Sequence, residues 1–317
     1  MYEWHRQVQK IANDIDRCIE NRADDELTLC AIAKENGYSE FHMTRKFKEL
    51  SGISLRDYLR GRRLAFALID VRDTEKNLLD IAVDYGFSSH EAFSRSFKAA
   101  YGIPPSTYRR RPRPVALRTR LIAFDRYLFG LGEIGMVNST KEIKTYFVTI
   151  PAHKFLHIKN YESDGYFDFW EKQDKIPGMD CDAICGLLDS IKGKLDGEDG
   201  LIGKFSGQIM AHIVEDGKMP EAYGVRLPVD YSGEVPNGML MMNVPEAEYL
   251  VFEHGSFDYE QECDTVGEML WAAIDGFDYD GTEYEKDDSV GRLSYFYFDP
   301  ERYEKRVIAV RRRGVEN

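Results

Sequence analysis

The first third of the chain carries the same set of hydrogen-bonding side chains twice, fifty residues apart. An arginine can bind a guanine edge through two hydrogen bonds, a lysine can neutralise a phosphate, and a serine or threonine can bond to either group. The two sets are Thr44, Arg45 and Lys48, then Ser94, Arg95 and Lys98. These residue types indicate binding to nucleic acid.

The first set lies on a segment whose apolar residues recur at helical spacing. Met43, Phe47 and Leu50 fall within about 60° of one another on a helix that turns by roughly 100° per residue, so they face a core. The residues that are then left pointing outward or to the flank are Phe41, Thr44, Arg45 and Lys48.

The second set lies on a matching segment, in which Phe93, Phe97 and Ala100 point inward. The side chains left outward are Glu91, Arg95 and Lys98, and those on the flanks are His90 and Ser94. An outward polar face is usually ordinary solvated surface. Because the whole unit is repeated with its turn, a functional face is the favoured interpretation here.

A glycine turn precedes each of these two helices. The turns are Gly37-Tyr38-Ser39 and Gly86-Phe87-Ser88, and each follows a shorter helical segment. The offset between the copies is 49 residues at the turn and 50 at the helix, so the second turn has one extra residue. Two helices joined in this way form a helix-turn-helix, whose second helix enters the DNA major groove.

Residues 54–74, between the two copies, are predicted to form one helix. Ser54 and Asp57 have the spacing of a capping box, and an apolar stripe follows them. A single helix here would hold the two reading helices at a fixed separation, as major-groove faces about 34 Å apart require. Arg62 and Arg63 are predicted either to contact phosphates or simply to solvate this helix.

Residues 1 to about 112 resemble the DNA-binding region of the AraC/XylS transcription regulators through these two units. The resemblance implies an all-α domain with double-stranded DNA and RNA polymerase as partners. It also implies phosphate contacts for Lys48 and Lys98, while Glu91 would accept a hydrogen bond from a cytosine or pair with Arg95. The residues for which it implies base reading are Phe41, Thr44, Arg45, His90, Ser94 and Arg95.

Charge is distributed unevenly along the 317 residues. The net charge is −13, yet residues 1–120 carry +5 and the remainder carries −18. Such asymmetry is typical of a polyanion binder joined to a domain that must not bind polyanions. Five scattered cysteines favour a reducing cytosol, and no run of 18 apolar residues occurs. A cytoplasmic protein without a membrane segment is therefore predicted, as either a monomer or a homodimer.

The boundary between the halves is predicted after the basic, proline-rich run 109–114, because proline breaks a helix. We expect a DNA-binding domain at 1–112, a linker at 113–138 and a second domain at 139–317. The apolar stretch 121–136 within the linker is a candidate helix between the two domains.

The second half contains a repeat of its own. The run that begins Ile150-Pro151-Ala152 returns as Val244-Pro245-Glu246, at an offset of 94. Each copy is predicted to contain an extended segment broken at its proline, then a helix, at 165–191 and at 259–275, and then two strands. Two β-α-β-β units predict an α+β domain, in which an antiparallel sheet carries helices on one face and a crevice lies between the halves.

Residues 141–312 resemble the GyrI-like effector-binding domain, an SHS2-type sheet found in Rob-type regulators. The resemblance depends on this topology and on short runs such as Tyr223-Gly224-Val225 and Glu253-His254-Gly255. It implies a crevice that takes a small lipophilic, often cationic effector between aromatic walls, with a glutamate in the next-to-last strand as counter-charge. Tyr295 stands at that position, so another carboxylate would have to substitute.

Large aromatic side chains are the candidate effector contacts, because aromatic walls bind flat or cationic ligands. Glu253 is the best available acid, since it closes a strand beside His254 and Gly255. The candidate set is Trp170, Tyr223, Glu253, Trp271, Tyr295 and Tyr297. An ordinary core position is the alternative for each aromatic residue.

The sequence predicts neither a metal site nor a cofactor. His153 and His157 are four residues apart, which on a strand separates them by about 13 Å. Cys181 and Cys185 lack a second pair of ligands. The run Asp278-Tyr279-Asp280-Gly281 is similar to part of a calcium loop, but Gly276 stands two positions before Asp278, and the closing acid would be Asp287 in place of glutamate. There is also no phosphate loop and no nucleophile motif.

Three functions from different classes remain. The first is a transcription regulator that responds to a small effector, and we take this as the main hypothesis. The second is a small-molecule hydrolase of the kind that some GyrI-like proteins resemble, which would need paired glutamates. The third is a DNA-binding protein whose acidic half only docks partner proteins. Because Tyr295 replaces an acid, we expect no enzymatic activity.

Overall fold

The chain divides into two compact units in a computed structural model. The model describes residues 2–22, 27–121, 123, 142–160, 163, 166–195, 209–215, 218, 220–300 and 302–314. The first unit comprises Met1–Leu131, Asp182–Ile191 and Asp199–Gly203, and the second comprises Gly132–Cys181, Lys192–Glu198 and Lys204–Asn317. The predicted linker helix at 121–136 lies outside the described residues from 124 onward.

The first unit is helical, as predicted. Its helices before residue 112 are α1 Tyr2–Glu20, α2 Leu29–Glu35, α3 Glu40–Ser51, α4 Leu55–Asp73, α5 Leu78–Asp84, α6 His90–Tyr101 and α7 Pro105–Arg110. The pairs α2–α3 and α5–α6 are the two predicted helix-turn-helix units, and α4 is the single helix predicted between them. Within the described residues, the helices are all too short or too polar to cross a membrane.

The repeat extends to the packing of the core. Phe47 on α3 lies against Tyr58, with ring centroids 5.3 Å apart, and all of this contact is buried. Fifty residues later, Phe97 on α6 lies against Tyr108 at 5.9 Å. Each reading helix is therefore anchored by the same pair of aromatic side chains.

Arg62 has neither of the roles that the sequence suggested. Its side chain is fully buried, and the guanidinium donates two hydrogen bonds of 2.8 Å to the carboxylate of Asp16. A buried charge needs such a partner, because leaving it unpaired costs several kcal/mol, on the order of 3–5. Arg62 thus joins α4 to α1, and it contacts neither solvent nor phosphate.

The first unit also contains residues 182–191, which include most of helix α9 (Cys181–Asp189). Arg72 at the end of α4 donates a hydrogen bond of 2.8 Å to the carbonyl oxygen of Ser190. A Cβ atom at Gly186 would lie 2.2 Å from the carbonyl oxygen of Leu117. Only glycine permits this close approach of α9 to the extended segment that follows α7.

The second unit is built on one antiparallel sheet with helices, which confirms the predicted α+β class. Its strands are β1 Lys144–Ile150, β2 His153–Asn160, β3 Ile209–Ile213, β4 Glu221–Leu227, β5 Leu240–Val244, β6 Ala247–Gly255, β7 Tyr284–Lys286, β8 Leu293–Asp299 and β9 Tyr303–Arg312. Their order across the sheet is β1-β6-β9-β8-β3-β4-β2-β5, and β7 pairs with β9.

The order of the strands is symmetric about the central pair β3 and β8. Each predicted extended segment is split into two strands, one at Pro151 and the other at Pro245, because proline cannot donate to the ladder. The first strand of each repeat pairs with the other repeat, β1 with β6 and β5 with β2. The predicted β-α-β-β unit was therefore one strand short.

The single helix predicted at 165–191 was wrong, because two helices occupy this stretch. Helix α8 (Tyr166–Gln173) and α9 are separated by a segment that contains Pro177 and Gly178. Gly178 has φ +73°, a conformation that ends a helix and that glycine adopts without strain. Helix α10 (Tyr259–Asp275) matches the second prediction.

Helices α8 and α10 cover one face of the sheet. Trp170 on α8 packs edge-on against Tyr223 of β4, with ring centroids 4.8 Å apart. The guanidinium of Arg306 on β9 lies 5.2 Å from the ring of Trp271 on α10. Strand pairing places Tyr223 and Arg306 on the same face, through Met210 and Phe296. The residues that alternate with these along each strand lie on the opposite face of the sheet.

Candidate functional site

Helices α3 and α6 are each positioned by the turn before them. Gly37 and Gly86 adopt φ values of +74° and +71°, which allow the chain to reverse without strain. Ser39 and Ser89 then cap the helices, because each hydroxyl oxygen accepts a hydrogen bond from the amide three residues later, at 3.3 and 3.2 Å. The start of each helix is therefore fixed by local chemistry.

The side chains predicted to contact DNA lie on the accessible sides of α3 and α6. Phe41 is 75% exposed, which is unusual for a large apolar residue and fits a surface that meets thymine methyl groups. The other exposed members are Arg45, Lys48, Glu91, Arg95 and Lys98, and the half-buried ones are Thr44, His90 and Ser94. The structure thus brings the predicted contacts together in two groups. Those on α3 are Phe41, Thr44, Arg45 and Lys48, and those on α6 are His90, Glu91, Ser94, Arg95 and Lys98.

The two flanking hydroxyl groups are held by their own helices. The hydroxyl of Thr44 donates to the carbonyl oxygen of Glu40 at 2.8 Å. That of Ser94 lies 3.4 Å from Nε2 of His90. One lone pair or proton of each hydroxyl is thereby engaged, while Arg45 and Arg95 extend beyond them into solvent. The arginines are the longest groups on each face.

Glu91 is held in its ionised form at the start of α6. Its own backbone N–H and the Ser89 hydroxyl lower the pKa of the carboxyl group, and the nearby charges of His90 and Arg95 act in the same direction. An ionised carboxylate accepts hydrogen bonds and cannot donate them. Glu91 is therefore suited to accept from a cytosine amino group, or to orient Arg95.

Helix α4 connects the two helix-turn-helix units and contacts both α3 and α6. Its 19 residues span about 28 Å at 1.5 Å per residue. Ser54 is confirmed as the cap of this helix, because the Asp57 amide donates to the Ser54 hydroxyl at 3.1 Å, and that hydroxyl donates to the Asp57 carboxylate at 2.6 Å. The hydrogen bond from Ser54 lowers the pKa of Asp57 and keeps this cap ionised.

The second unit has a cavity of about 660 Å³ on the face of the sheet opposite α8 and α10. This volume is within the range of small-molecule sites, which is roughly 300–1,000 Å³. The lining residues are Tyr146, Val148, Thr149, Ile150, Pro151, Arg226, Val251, Tyr297, Arg302, Tyr303, Lys305 and Val307. Its wall is therefore made of aromatic, aliphatic and cationic side chains.

Three of the predicted effector residues lie at or beside this cavity. Tyr297 lines it. Tyr295 lies next to it, beneath the guanidinium of Arg226, whose centre is 5.7 Å from the ring. The Tyr295 hydroxyl is 2.6 Å from Nε2 of His153, so the residue at the position of the expected acid is engaged with a histidine.

Glu253 is the third, and it is bound to two of the lining residues. The Tyr146 hydroxyl donates to its carboxylate at 2.6 Å, and Lys305 forms an ion pair with it at 3.1 Å. Burial alone would raise the pKa of Glu253, but the hydrogen bonds from Tyr146 and Lys305 outweigh it, so the pKa is lowered. The carboxylate is thus ionised and already neutralised.

The other three predicted effector residues are not part of this cavity. Trp170 and Tyr223 pack against each other under α8, and Trp271 lies on α10, half exposed. Tyr223 lies on the helix-covered face of the sheet, because successive residues of a strand point to opposite sides. Trp170 and Trp271 lie on the two helices that cover this face. Their role in effector binding therefore stays a prediction, and the structure does not bring them together with Tyr297.

Sequence reasoning missed the cations of the cavity, which are Arg226, Arg302 and Lys305. Arg226 was the detectable one. It occurs in the run Ala222-Tyr223-Gly224-Val225-Arg226, where a charged residue follows four uncharged ones, two of which are strand formers. A half-buried arginine inside such a strand indicates a polar site, because an unpaired charge is costly to bury.

The residues considered for metal binding are dispersed or engaged elsewhere. His153 faces Tyr295, and none of the five cysteines forms a disulfide. Among the described residues, no three His, Cys, Asp or Glu side chains form a group with metal-ligand geometry.

Comparison with known proteins identifies the first unit. A family profile described as a helix-turn-helix domain matches residues 32–111. Regulatory protein SoxS of Escherichia coli (strain K12) is 39% identical over 103 residues, which are 32% of this chain and 96% of SoxS. The right origin-binding protein of the same strain is 37% identical over 150 residues, or 47% of this chain and 45% of that protein.

A solved structure is also similar to part of this chain. The C-terminal domain of AraT, a response regulator from Geobacillus stearothermophilus, is 29% identical and covers 33% of this chain and 84% of that one, with a TM-score of 0.30. The decisive comparison is with SoxS, because nearly the whole of that protein aligns at 39% identity. The chain therefore belongs to the AraC family of helix-turn-helix transcription regulators, which bind DNA.

Proposed function

We propose that this AraC-type regulator responds to a small effector, which binds in the cavity of the second unit. The observation that carries the proposal is the 660 Å³ cavity with an aromatic and aliphatic wall, within a domain that has its own sheet. Its symmetric antiparallel sheet agrees with the GyrI-like effector-binding fold that the sequence resembles. Binding, and not turnover, is the proposed activity.

The two competing functions receive less support. A hydrolase with paired glutamates has no such pair at this cavity, since Asp and Glu are absent from its described lining residues and Glu253 is bound to Lys305. A domain that only docks proteins would not need an aromatic cavity of this size. We also propose 1–112 as the DNA-binding domain, 113–138 as the linker and 139–317 as the effector-binding domain, from which residues 182–191 pack within the first unit.

The proposed reading surface is the outward side of α3 and α6. Arg45 and Arg95 are the proposed base contacts, and Lys48 and Lys98 the proposed phosphate contacts. The remaining proposed contacts on this surface are Phe41, Thr44, His90, Glu91 and Ser94. The first requirement of any test is the preferred DNA sequence, which selection from a random library with the full chain will provide.

The effector hypothesis is tested with a chemically diverse set of acidic, neutral and basic compounds. We expect at least one to raise the melting temperature of the full chain and to change its affinity for the selected DNA. Val148→Trp, which fills the cavity from β1, should abolish both effects. Thr145→Trp, on the same strand with its side chain on the other face, is the matched control.

Two outcomes would contradict the hypothesis. The first is that no compound of any charge binds the full chain. The second is that an active compound binds Val148→Trp as tightly as it binds the parent protein.

A further inference from the structure

Helix α1 contacts the first helix-turn-helix unit at the turn that positions α3. The ring of Trp4 lies 4.8 Å from that of Tyr38, in the turn, and 5.0 Å from that of His42, in the first turn of α3. Gln7, three residues further along α1, donates a hydrogen bond of 2.8 Å to the side-chain oxygen of Asn36, the residue that ends α2. The start of α1 therefore lies against the end of α2 and the start of α3.

The chain that leaves α1 contacts the second helix-turn-helix unit at the equivalent place. Arg22, two residues after the helix, has φ +55°, a conformation that is uncommon for residues other than glycine. Its guanidinium binds the carboxylate of Asp84, the last residue of α5, and lies 5.8 Å from the ring of Tyr85, which ends that helix. Tyr85 corresponds to Asn36, because each stands directly before the glycine of its turn. The two ends of α1 thus meet equivalent positions of the two units.

Arg22 belongs to a network of four charges that also includes α4. Its Nη2 lies 3.3 Å from a carboxylate oxygen of Asp70 on α4, and Nζ of Lys76 lies 3.3 Å from Asp70 and 3.2 Å from Asp84. One exposed ion pair adds little to stability, but several charges that share partners hold one another in place. The contact of Arg22 with the second unit is therefore more than a single surface pair.

The middle of α1 fixes the helix between these two contacts. Val8, Ile11 and Ile15 are fully buried, and Asp16 forms the buried ion pair with Arg62 on α4. The 19 residues of α1 span about 28 Å at 1.5 Å per residue. Because its middle is packed in the core, α1 is a rigid element that contacts the first unit at one end and the second unit at the other.

We infer that Trp4 and Arg22 are positioning residues for DNA reading, each for one of the two helix-turn-helix units. Trp4 orients α3 by packing on its first turn, and Arg22 orients α6 through the end of the helix before it. A base edge is read only by donors held in a fixed geometry, whereas a phosphate tolerates several. Loss of either contact should therefore weaken base reading at one unit. The inference rests on the reading surface proposed above.

Selection from a random DNA library with the full chain tests this inference, because the two units read separate positions. Trp4→Ala should relax the preference at the position that Arg45→Ala identifies and leave the one that Arg95→Ala identifies. Arg22→Gln should do the reverse. Each variant should lose about 5-fold or more in affinity for the selected DNA, the lower end of what one base contact contributes. The loss for random DNA should be much smaller, since phosphates supply that affinity.

Matched controls come from the exposed side of the same helix. Asn13→Ala replaces an exposed polar residue, and Arg17→Gln removes one positive charge from an exposed arginine, as Arg22→Gln does. Both controls should leave the two preferences unchanged. Trp4→Phe, which keeps an aromatic ring at this position, should restore most of what Trp4→Ala loses. If Trp4→Ala does not fold, the result for Arg22→Gln decides.

Three outcomes would overturn the inference. A preference lost equally at both positions, in either variant, would mean that the residue only stabilises the fold. Unchanged preferences in both variants, with Arg45→Ala and Arg95→Ala still identifying two positions, would remove the positioning role and keep the reading surface. Unchanged preferences in Arg45→Ala and Arg95→Ala would refute the reading surface and this inference with it.

Discussion

Arg62 and Asp16 form a buried, two-point ion pair that joins the central helix α4 to the first helix α1. The Nε–Oδ1 and Nη2–Oδ2 distances are both 2.8 Å, and the arginine side chain is wholly inaccessible. Because α4 also contacts α3 and α6, this pair supports the helices that carry the proposed DNA-binding surface. Its loss should affect stability before it affects DNA contacts.

Replacing Asp16 by asparagine should lower the free energy of unfolding of the helical region by about 3–5 kcal/mol, because it leaves a buried guanidinium without its counter-charge. Urea unfolding followed by far-ultraviolet circular dichroism measures the change. Arg60→Ala, which removes an exposed pair with Asp57, is the control and should have little effect. Equal effects of the two substitutions would refute a structural role for the buried pair.

Lys48 and Lys98 should contribute affinity without sequence preference. Each Lys→Ala change should make the slope of log K against log salt shallower by about 0.9, because one fewer counterion is released. The affinity for the selected DNA sequence and the affinity for random DNA should fall by the same factor. Lys175→Ala, in an exposed pair with Glu171 of the second unit, is the control. A loss confined to the selected sequence would show that the lysine reads a base.

The helical half was predictable because its signals are local. Gly37 and Gly86 mark the turns, and Phe47 and Phe97 mark the buried sides of the helices that follow. A helix fixes which residues share a side within one or two turns, so a short window is sufficient. Arg62 was misjudged because its partner, Asp16, is 46 residues away and on another helix.

The cavity was less predictable, because it depends on pairing between distant strands. The aromatic character of Trp170, Tyr223 and Trp271 was evident, but their positions were not. The face that Tyr223 occupies depends on strand register, where a shift of one residue reverses the side, and the positions of Trp170 and Trp271 depend on how α8 and α10 pack on the sheet. Tyr297 belongs to the cavity for the same reason. Arg226 was missed because its strand, β4, pairs at this position with β2, which is not a neighbouring segment in the sequence.

Trp170 and Trp271 should differ sharply in their contribution to stability. Trp170 is 7% exposed and packs on Tyr223, so Trp170→Ala should cost about 3–5 kcal/mol. Trp271 is 52% exposed, so Trp271→Ala should cost roughly 1 kcal/mol or less. Urea unfolding of each variant measures this, and comparable losses would contradict the assignment of Trp170 to the core.

Glu253 should make the stability of the second unit depend on pH. Its pKa in the folded protein is lowered below the ordinary 4.5, because hydrogen bonds from Tyr146 and Lys305 outweigh burial. Its contribution is therefore present above about pH 4.5 and is lost as the pH falls through the folded value, since the unfolded chain binds the proton first.

The parent protein should accordingly exceed Glu253→Gln in stability at neutral pH, and the difference should shrink as the solution is acidified. Thermal unfolding across a pH series measures it. Tyr146→Phe, which removes one of the hydrogen bonds, should make the pH dependence weaker. A stability difference that stays constant down to the acid limit would mean that the carboxylate is not ionised in the folded protein.

The most direct test of the proposed DNA-reading surface compares the sequence preferences of the parent, Arg45→Ala and Arg95→Ala by selection from a random DNA library. Each substitution should cost about 1–3 kcal/mol and relax the preference at one position. The two positions should be separated by about one helical turn, or ~10 base pairs. If Arg95→Ala bound the parent's preferred sequence with unchanged affinity and specificity, α6 would not be a reading helix.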